Sequence, residues 1–217
     1  MKNSSAKRQT GKLLSLLEKH YPGADTALRH ADPLELLIAT ILSAQCTDVR
    51  VNLVTPKLFS DFRKASDFAN ADQQVLEEYI RSTGFFRNKA KNIIGCCRAL
   101  TEKHGGKVPD TLEELVALPG VGRKTANCVL GMAFGKPGIV VDTHVKRISN
   151  RLGLTDKKDP DKIEFDLMKI MPEESWIAFS SQAILFGRDI CSARKPKCCE
   201  CFLLSMCDFG RKEVQGA

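Results

Sequence analysis

The sequence is poor in aromatic residues and histidines, and it contains no long apolar run. Its 217 residues include one tryptophan, two tyrosines and four histidines. No stretch approaches the roughly 20 consecutive apolar residues that a membrane-spanning helix needs. The first residues lead into no apolar core with a cleavage site. We therefore expect no membrane segment and no signal peptide, and a cytoplasmic location.

Strand-like patterns are also scarce, and we find no internal repeat or low-complexity segment. Apolar residues instead recur with the period of amphipathic helices in about ten segments, which predicts an all-α protein. The segment Leu34–Ser43 is apolar on nearly every side and follows the helix-start residues Asp32 and Pro33. We therefore expect it to form the buried central helix of a domain.

What the chain does have is a mixed and basic composition. With 43% hydrophobic and 27% charged residues, it can bury a globular core, and its length suits one large or two small domains. The net charge of +7 fits a polyanionic partner, although many globular proteins are mildly basic. Nine cysteines in an intracellular chain indicate thiols or metal ligands rather than disulfides.

The stretch Leu118–Ala126, with the sequence LPGVGRKTA, predicts two helices joined by a tight hairpin. Pro119 ends the first helix, and Gly120 and Gly122 allow the positive φ angles that such a turn needs. Residues Arg123–Phe134 then follow the pattern of a helix with one apolar stripe. The free N–H groups at its start can bind a phosphate, although an ordinary turn between helices has the same pattern.

Lys124 falls in the first turn of that second helix. The helix dipole disfavours a charged amine there and favours the neutral, nucleophilic form. Asp142 follows in the sequence VVDTH. A helix of about 18 Å and a return segment of at most roughly 26 Å allow Asp142 to approach Lys124. The alternatives are a solvated helix lysine and an aspartate that only caps the helix Thr143–Leu152.

Two further positions interrupt the helical pattern. Gln45 follows the buried helix and is either a solvated helix end or a side chain that reaches into a cleft. Phe85 and Phe86 lie in a basic turn. They are either core anchors or a wedge that meets nucleic-acid bases.

Four cysteines, Cys191, Cys198, Cys201 and Cys207, are separated by six, two and five residues. Clustered thiolates of this kind demand a soft metal, either zinc or an iron–sulfur cluster. The spacing does not choose between the two. Cys199 is the predicted non-ligand.

The gap between the first two of these cysteines is basic and carries Arg194, Lys195 and Lys197. A loop made rigid by a metal site would present these cations to phosphate groups.

Together these motifs resemble the endonuclease III family, helix–hairpin–helix DNA glycosylases with abasic-site (AP) lyase activity. The resemblance extends to LLIATILSAQCTD at 36–48 and to Gly84–Ile94, and covers nearly the whole chain. It implies two helical domains flanking a DNA-binding cleft. These are a six-helix domain with the helix–hairpin–helix, residues 26–136, and an iron–sulfur cluster domain, residues 1–25 and 137–217. It also implies a [4Fe–4S] cluster rather than zinc on the four cysteines.

The resemblance further implies a role for each candidate residue. Lys124 matches the nucleophile that attacks the sugar C1′, and Asp142 matches the carboxylate that assists base departure. Gln45 matches the residue that fills the gap left by the extruded nucleotide, and Phe85 stands at the position of the wedge. The DNA contacts implied besides these two are Gly120, Gly122, Arg123, His144, Arg194, Lys195 and Lys197.

The implied function is base excision repair by a nucleoid-associated monomer. Its partner is double-stranded DNA that contains oxidised pyrimidines or abasic sites. A lysine Schiff base removes the pyrimidine, and β-elimination cleaves the strand 3′ to the abasic site. Two alternatives stand beside this one. A related adenine-mismatch glycosylase lacks a lysine at the position of Lys124, and a non-catalytic DNA-binding or redox module needs neither Lys124 nor Asp142.

Overall fold

The computed structural model describes the backbone of residues 2–216 and the side chains of residues 9–216. Within that range the chain forms twelve α-helices and four short 3₁₀ turns and contains no strand, which confirms the all-α prediction. No helix in the described range is both long and apolar enough to cross a membrane. The outermost predicted domain bounds, residues 1 and 217, lie outside the described residues.

The chain divides into two compact units. The hairpin unit comprises Thr26–Lys136, and the cysteine unit comprises Met1–Asp25 with Pro137–Ala217. The helices of the hairpin unit are α2 (Pro33–Leu42), α3 (Asp48–Asp61), α4 (Ala65–Ala69), α5 (Gln73–Ile80), α6 (Phe86–His104), α7 (Leu112–Val116) and α8 (Arg123–Phe134). The helices of the cysteine unit are α1 (Lys2–His20), α9 (Thr143–Arg151), α10 (Pro160–Ile170), α11 (Trp176–Asp189) and α12 (Asp208–Gln215). The 3₁₀ turns are Arg81–Thr83, Glu173–Ser175, Cys198–Glu200 and Leu204–Met206.

Helix α2 is the centre of the hairpin unit. All residues from Leu36 to Leu42 are buried, and α2 packs against α3, α6 and α8. The Asp32 carboxylate accepts the N–H of Glu35 at 2.9 Å, and Pro33 occupies the first helical position, as the sequence predicts. Burial of each leucine side chain contributes about 1.5–3 kcal/mol. The helix is therefore a rigid base for the turn that follows it and for α8.

The cysteine unit is built on α11, which packs against α1 and α9. Its core includes Phe179 and Phe186 of α11 together with Ile139 and Val141. Residues Ile139–Val141 are buried, and the Val140 N–H donates to Ser180 Oγ at 2.9 Å. This buried segment leads directly into Asp142, so the backbone of the aspartate is held by the core.

Candidate functional site

The predicted hairpin lies between α7 and α8. The turn is closed by the Val121 N–H, which donates to the Leu118 carbonyl at 3.1 Å. Gly120 has a φ of +77°, and a Cβ built on it would lie 2.6 Å from Cβ of Asn92 in α6. Both the backbone angle and the close packing against α6 therefore require glycine at this position.

Gly122 does not use the positive φ that a glycine allows. Gly122 has a φ of −90° and is the N-cap residue of α8. Its backbone is extended, and a Cβ at this position would meet no atom within 4 Å. Gly120 alone makes the turn, and Gly122 starts the helix with an exposed backbone. Helix starts leave their first N–H groups without intrahelical partners, so the start of α8 can accept an anion.

Lys124 is the second residue of α8, and its side chain is exposed. The preceding residue, Arg123, begins the helix. Two cationic side chains therefore follow the hairpin, at the end of the helix that already carries partial positive charge. Lys124 belongs to the hairpin unit and Asp142 to the cysteine unit, and their approach stays a prediction.

Asp142 is the N-cap of α9, as one of the sequence interpretations held. Its Oδ1 accepts the backbone N–H groups of His144 and Val145, each at 2.8 Å. Its Oδ2 lies 2.9 Å from Nδ1 of the His144 ring. Since an ionised carboxylate only accepts hydrogen bonds, Nδ1 carries the proton in this pair. The side chain is 14% exposed, so the cap does not remove it from reach of a ligand.

Gln45 and Phe85 share an unusual backbone conformation. Among residues 2–216 they are the two non-glycine residues with positive φ, 52° for Gln45 and 49° for Phe85. A left-handed backbone costs a non-glycine residue roughly 1–2 kcal/mol. Both side chains are exposed, that of Phe85 at 62%. Strained residues that present exposed side chains are typical of binding sites.

The structure separates the two adjacent phenylalanines. Phe86 packs against the core of the hairpin unit, and the guanidinium groups of Arg81 and Arg87 lie 5.1 Å and 5.8 Å from its ring centroid. Phe85 points into solvent instead. The interpretation of both rings as core anchors therefore holds for Phe86 alone.

The sequence analysis missed Lys89, a buried lysine in the first turns of α6. It is 4% exposed, and its ammonium group donates to the carbonyls of Leu42 and Thr83, each at 2.8 Å. Burial lowers the pKa of Lys89 from its ordinary value. Helical spacing could have indicated its burial, because Lys89 lies on the same stripe as the buried residues Ile93 and Cys97.

The four predicted metal ligands line one cavity of the cysteine unit. Within residues 9–216, no three cysteine, histidine or carboxylate side chains converge as the ligands of a single ion do. Cys199 is exposed and is not part of the cavity lining. The lining cysteines are Cys191, Cys198, Cys201 and Cys207.

Two of the cysteines that line this cavity accept hydrogen bonds at their sulfur atoms. Arg151 donates to Cys191 Sγ at 3.2 Å, and the Gly210 N–H donates to Cys207 Sγ at 3.3 Å. Burial raises the pKa of the Cys201 thiol to about 11. A buried thiolate therefore needs a metal to hold it in the ionised form. Donor groups aimed at sulfur and a soft four-thiol set fit an iron–sulfur cluster.

Arginine side chains of α9 hold the backbone of the basic loop between Cys191 and Cys198 in place. Arg151, also missed by the sequence analysis, donates to the carbonyls of Ser192 and Ala193 at 2.8 Å and 3.0 Å. Arg147 donates to the Cys191 carbonyl at 3.1 Å. No sequence pattern distinguishes these arginines from solvated ones, since their partners are backbone carbonyls far along the chain.

The three cations of this loop differ in their surroundings. Arg194 and Lys195 are exposed. Lys197 is also exposed, but its ammonium group lies 3.7 Å from the Asp189 carboxylate. Two of the three predicted phosphate contacts therefore present their charge to solvent, and the third shares its charge with an aspartate.

The chain is similar to known DNA repair proteins. The model of the HhH-GPD superfamily of base excision DNA repair proteins matches residues 38–173. Endonuclease III of Synechocystis sp. is 55% identical over 207 residues, which cover 95% of this chain and 94% of that protein.

Solved structures show the same likeness. The structure of a non-covalent endonuclease III–DNA complex superimposes with a TM-score of 0.92 at 47% identity, covering 96% of this chain and 98% of that chain. The structure of a trapped endonuclease III–DNA covalent intermediate, an estranged-adenine complex, matches with the same TM-score, identity and coverage.

Proposed function

Because this chain belongs to the endonuclease III family of HhH-GPD base excision DNA repair proteins, we propose that it removes oxidised pyrimidines from duplex DNA. It is an enzyme with DNA glycosylase and AP lyase activity. We further propose that it cleaves the strand 3′ to the abasic site through a Schiff base on Lys124. We also propose that it acts as a monomer. Its DNA substrate supports a location at the nucleoid.

The placement of Lys124 is the observation that carries the proposal. Its exposed amine lies in the first turn of α8, directly after the hairpin made by Gly120. A DNA phosphate bound by N–H groups of the hairpin and helix start would hold the strand beside this amine. The amine attacks as a nucleophile in its neutral form.

The chemistry follows from a neutral lysine amine. Nζ of Lys124 attacks C1′ of the damaged nucleotide, and the glycosidic bond breaks with its electron pair leaving on the base. The sugar ring then opens to give a protonated imine on Nζ. Loss of a proton from C2′ expels the 3′ phosphate, which is the β-elimination step. Water hydrolyses the imine and regenerates the free lysine. Covalent catalysis of this kind divides one difficult step into easier ones.

Asp142 is proposed to stabilise the positive charge that develops on the sugar as the base departs. Its carboxylate is largely buried and fixed by two backbone N–H donors and the His144 ring. A fixed charge in a partly dry site needs no reorganisation during the reaction. The His144 ring contacts Oδ2 and so helps to fix the orientation of the carboxylate.

Gln45 and Phe85 are proposed to extrude the damaged nucleotide. Extrusion costs a few kcal/mol and less when the base is poorly paired. Phe85 would enter the base stack as an apolar wedge, since its exposed ring has no core to occupy. Gln45 would take the place of the extruded nucleotide, because its amide can donate and accept hydrogen bonds. Oxidised pyrimidines pair and stack poorly, so they favour this route.

The four cysteines of the cavity are proposed to bind a [4Fe–4S] cluster. The family to which the chain belongs supports a cluster rather than zinc at these four cysteines. Such a cluster would be held by these four cysteines and, when bound, would join their chain segments. The protein's own contribution is the pair of sulfur hydrogen bonds and the loop held by Arg151.

Three duplexes test the proposal: the first has a single thymine glycol, the second a single abasic site and the third an adenine mismatch. We expect release of thymine glycol and strand cleavage on the first, and cleavage alone on the second. The matched undamaged duplex should stay intact. Cleavage of the abasic duplex without release of thymine glycol would refute the substrate assignment. Release of adenine from a mismatch would favour the adenine-specific alternative, and no turnover on any duplex would favour the binding module.

A further inference from the structure

Lys89 connects two chain segments that are far apart in sequence. Its ammonium group donates to the carbonyl of Leu42, the last residue of α2. It also donates to the carbonyl of Thr83, the last residue of a 3₁₀ turn. Each of these carbonyls lies at a helix end, where intrahelical donors are lacking and a cation is favoured. One buried side chain therefore satisfies two helix ends.

These two helix ends lead into the two strained turns. Leu42 precedes Gln45 by three residues and Thr83 precedes Phe85 by two. Since each carbonyl oxygen is 2.8 Å from the same Nζ, the oxygens lie no farther apart than twice that distance. The backbone N–H of Lys89 also donates to the Phe85 carbonyl at 3.1 Å. The residue thus contacts the Phe85 turn through both its backbone and its side chain.

A lysine in this position is otherwise hard to explain. Its stripe on α6 is occupied by residues that fill the core, and burial of an ammonium group is costly. The two carbonyl bonds offset this cost, and they are the contacts through which the side chain joins the two turns. An apolar side chain of the same length would fill the space without this connection.

We propose that Lys89 is a positioning residue for nucleotide extrusion. Its buried ammonium group holds the Gln45 turn and the Phe85 turn in one fixed arrangement, so that the two side chains enter the duplex together. The inference rests on the proposed function of Gln45 and Phe85. It adds a residue that touches no DNA and acts through the other two.

The experiment compares Lys89→Met with Lys91→Met. Methionine has about the length of lysine but no donor, and Lys91 is an exposed lysine of the same helix. The readout is the fluorescence of 2-aminopurine placed next to a thymine glycol, which rises on unstacking. We expect Lys89→Met to slow extrusion and base release by about tenfold or more, since small misplacements have effects of this size. Cleavage of a pre-formed abasic site should change less than about twofold, because there is no base to extrude. Lys91→Met should match the wild type in both.

A second set of variants separates positioning from folding. Circular dichroism and thermal unfolding report whether each variant folds, and Lys89→Gln replaces Lys89→Met if the latter does not. Lys89→Arg keeps the charge and the donors and should restore most of the extrusion rate. In the Gln45→Ala, Phe85→Ala background, Lys89→Met should have no further effect on extrusion. An effect of full size in that background would overturn the inference, as would normal extrusion by a folded Lys89→Met protein.

Failure of the proposed function would give other results than failure of the role proposed for Lys89. If Gln45→Ala and Phe85→Ala both extrude at the wild-type rate, the roles of those residues are wrong, and Lys89 then has nothing to position. If they slow extrusion and folded Lys89→Met does not, only the inference fails.

Discussion

Oδ2 of Asp142 lies 2.9 Å from Nδ1 of His144, while Oδ1 of the same carboxylate accepts two backbone N–H groups at 2.8 Å. The two oxygens therefore have separate tasks. Oδ1 caps α9, and Oδ2 faces a titratable ring. A substitution that keeps Oδ1 but removes the charge separates structure from chemistry.

Asp142→Asn should slow base release by roughly 10²–10³-fold, because a fixed carboxylate beside a developing cation has effects of that order. The fold should persist, since the asparagine oxygen can still cap α9. Asp142→Ala is the matched variant and should also lower the free energy of unfolding by about 1 kcal/mol through loss of the cap. Single-turnover release of thymine glycol and urea unfolding measure the two effects. Equal release rates for the wild type and Asp142→Asn would contradict the assigned role.

Gly120→Ala and Gly122→Ala should differ in stability although they are two residues apart. A methyl group at Gly120 meets a φ of +77° and the Asn92 side chain, so we expect a loss of about 2–3 kcal/mol. Gly122 has an ordinary φ and open space, so replacement should cost about 1 kcal/mol or less through the weaker N-cap. Urea unfolding measures both. A larger loss at Gly122 would show that the turn is built differently.

The features that depend on neighbouring residues could be predicted from the sequence. Asp32 and Asp142 were both assigned as helix caps, because an N-cap bonds to N–H groups two or three residues away. The buried character of α2 followed from its composition alone. The φ angle of Gly122 could not be predicted, because a glycine permits a positive φ without requiring it.

The features that depend on tertiary contacts could not be predicted. The left-handed backbone of Phe85 has no sequence signal, since phenylalanine normally avoids it. The roles of Lys89 and Arg151 depend on carbonyl partners 47 and 41 residues away in the chain. The sequence does place Lys89 on an apolar stripe, but only the structure shows which turns it joins.

Purified protein should contain iron and sulfide in equal amounts and be yellow-brown. Cys198→Ser should lose the metal and expose the 191–207 segment to proteolysis, because metal binding and local folding are coupled. Cys199→Ser is the matched control and should keep both iron and colour, since that thiol is exposed and does not line the cavity. Metal analysis and limited proteolysis provide the readouts. One zinc per chain without colour would contradict the cluster.

The cations of the basic loop should contribute unequally to DNA affinity. Arg194→Ala and Lys195→Ala should each weaken binding to every duplex and reduce the salt slope by roughly one unit. Lys197→Ala should have a smaller effect, because its ammonium group is close to Asp189. Fluorescence anisotropy over a range of salt concentrations measures the slopes, and Lys158→Ala, an exposed lysine of the same unit, reports the effect of net charge alone. If the triple alanine variant of the loop binds undamaged duplex normally, the loop does not contact DNA.

The central claim is that Lys124 forms the covalent bond to DNA, and borohydride trapping tests it most directly. Borohydride reduces an imine to a stable amine, so wild-type protein should become linked to DNA that contains thymine glycol or an abasic site. Lys124→Gln removes the amine and keeps a similar length and polarity. It should form no adduct and cleave no strand while it still binds the duplex. Lys107→Gln, at an exposed lysine of the same unit, should be trapped as the wild type is. Formation of the borohydride-stable adduct by Lys124→Gln at the wild-type rate would contradict the account, because another amine would then carry the reaction.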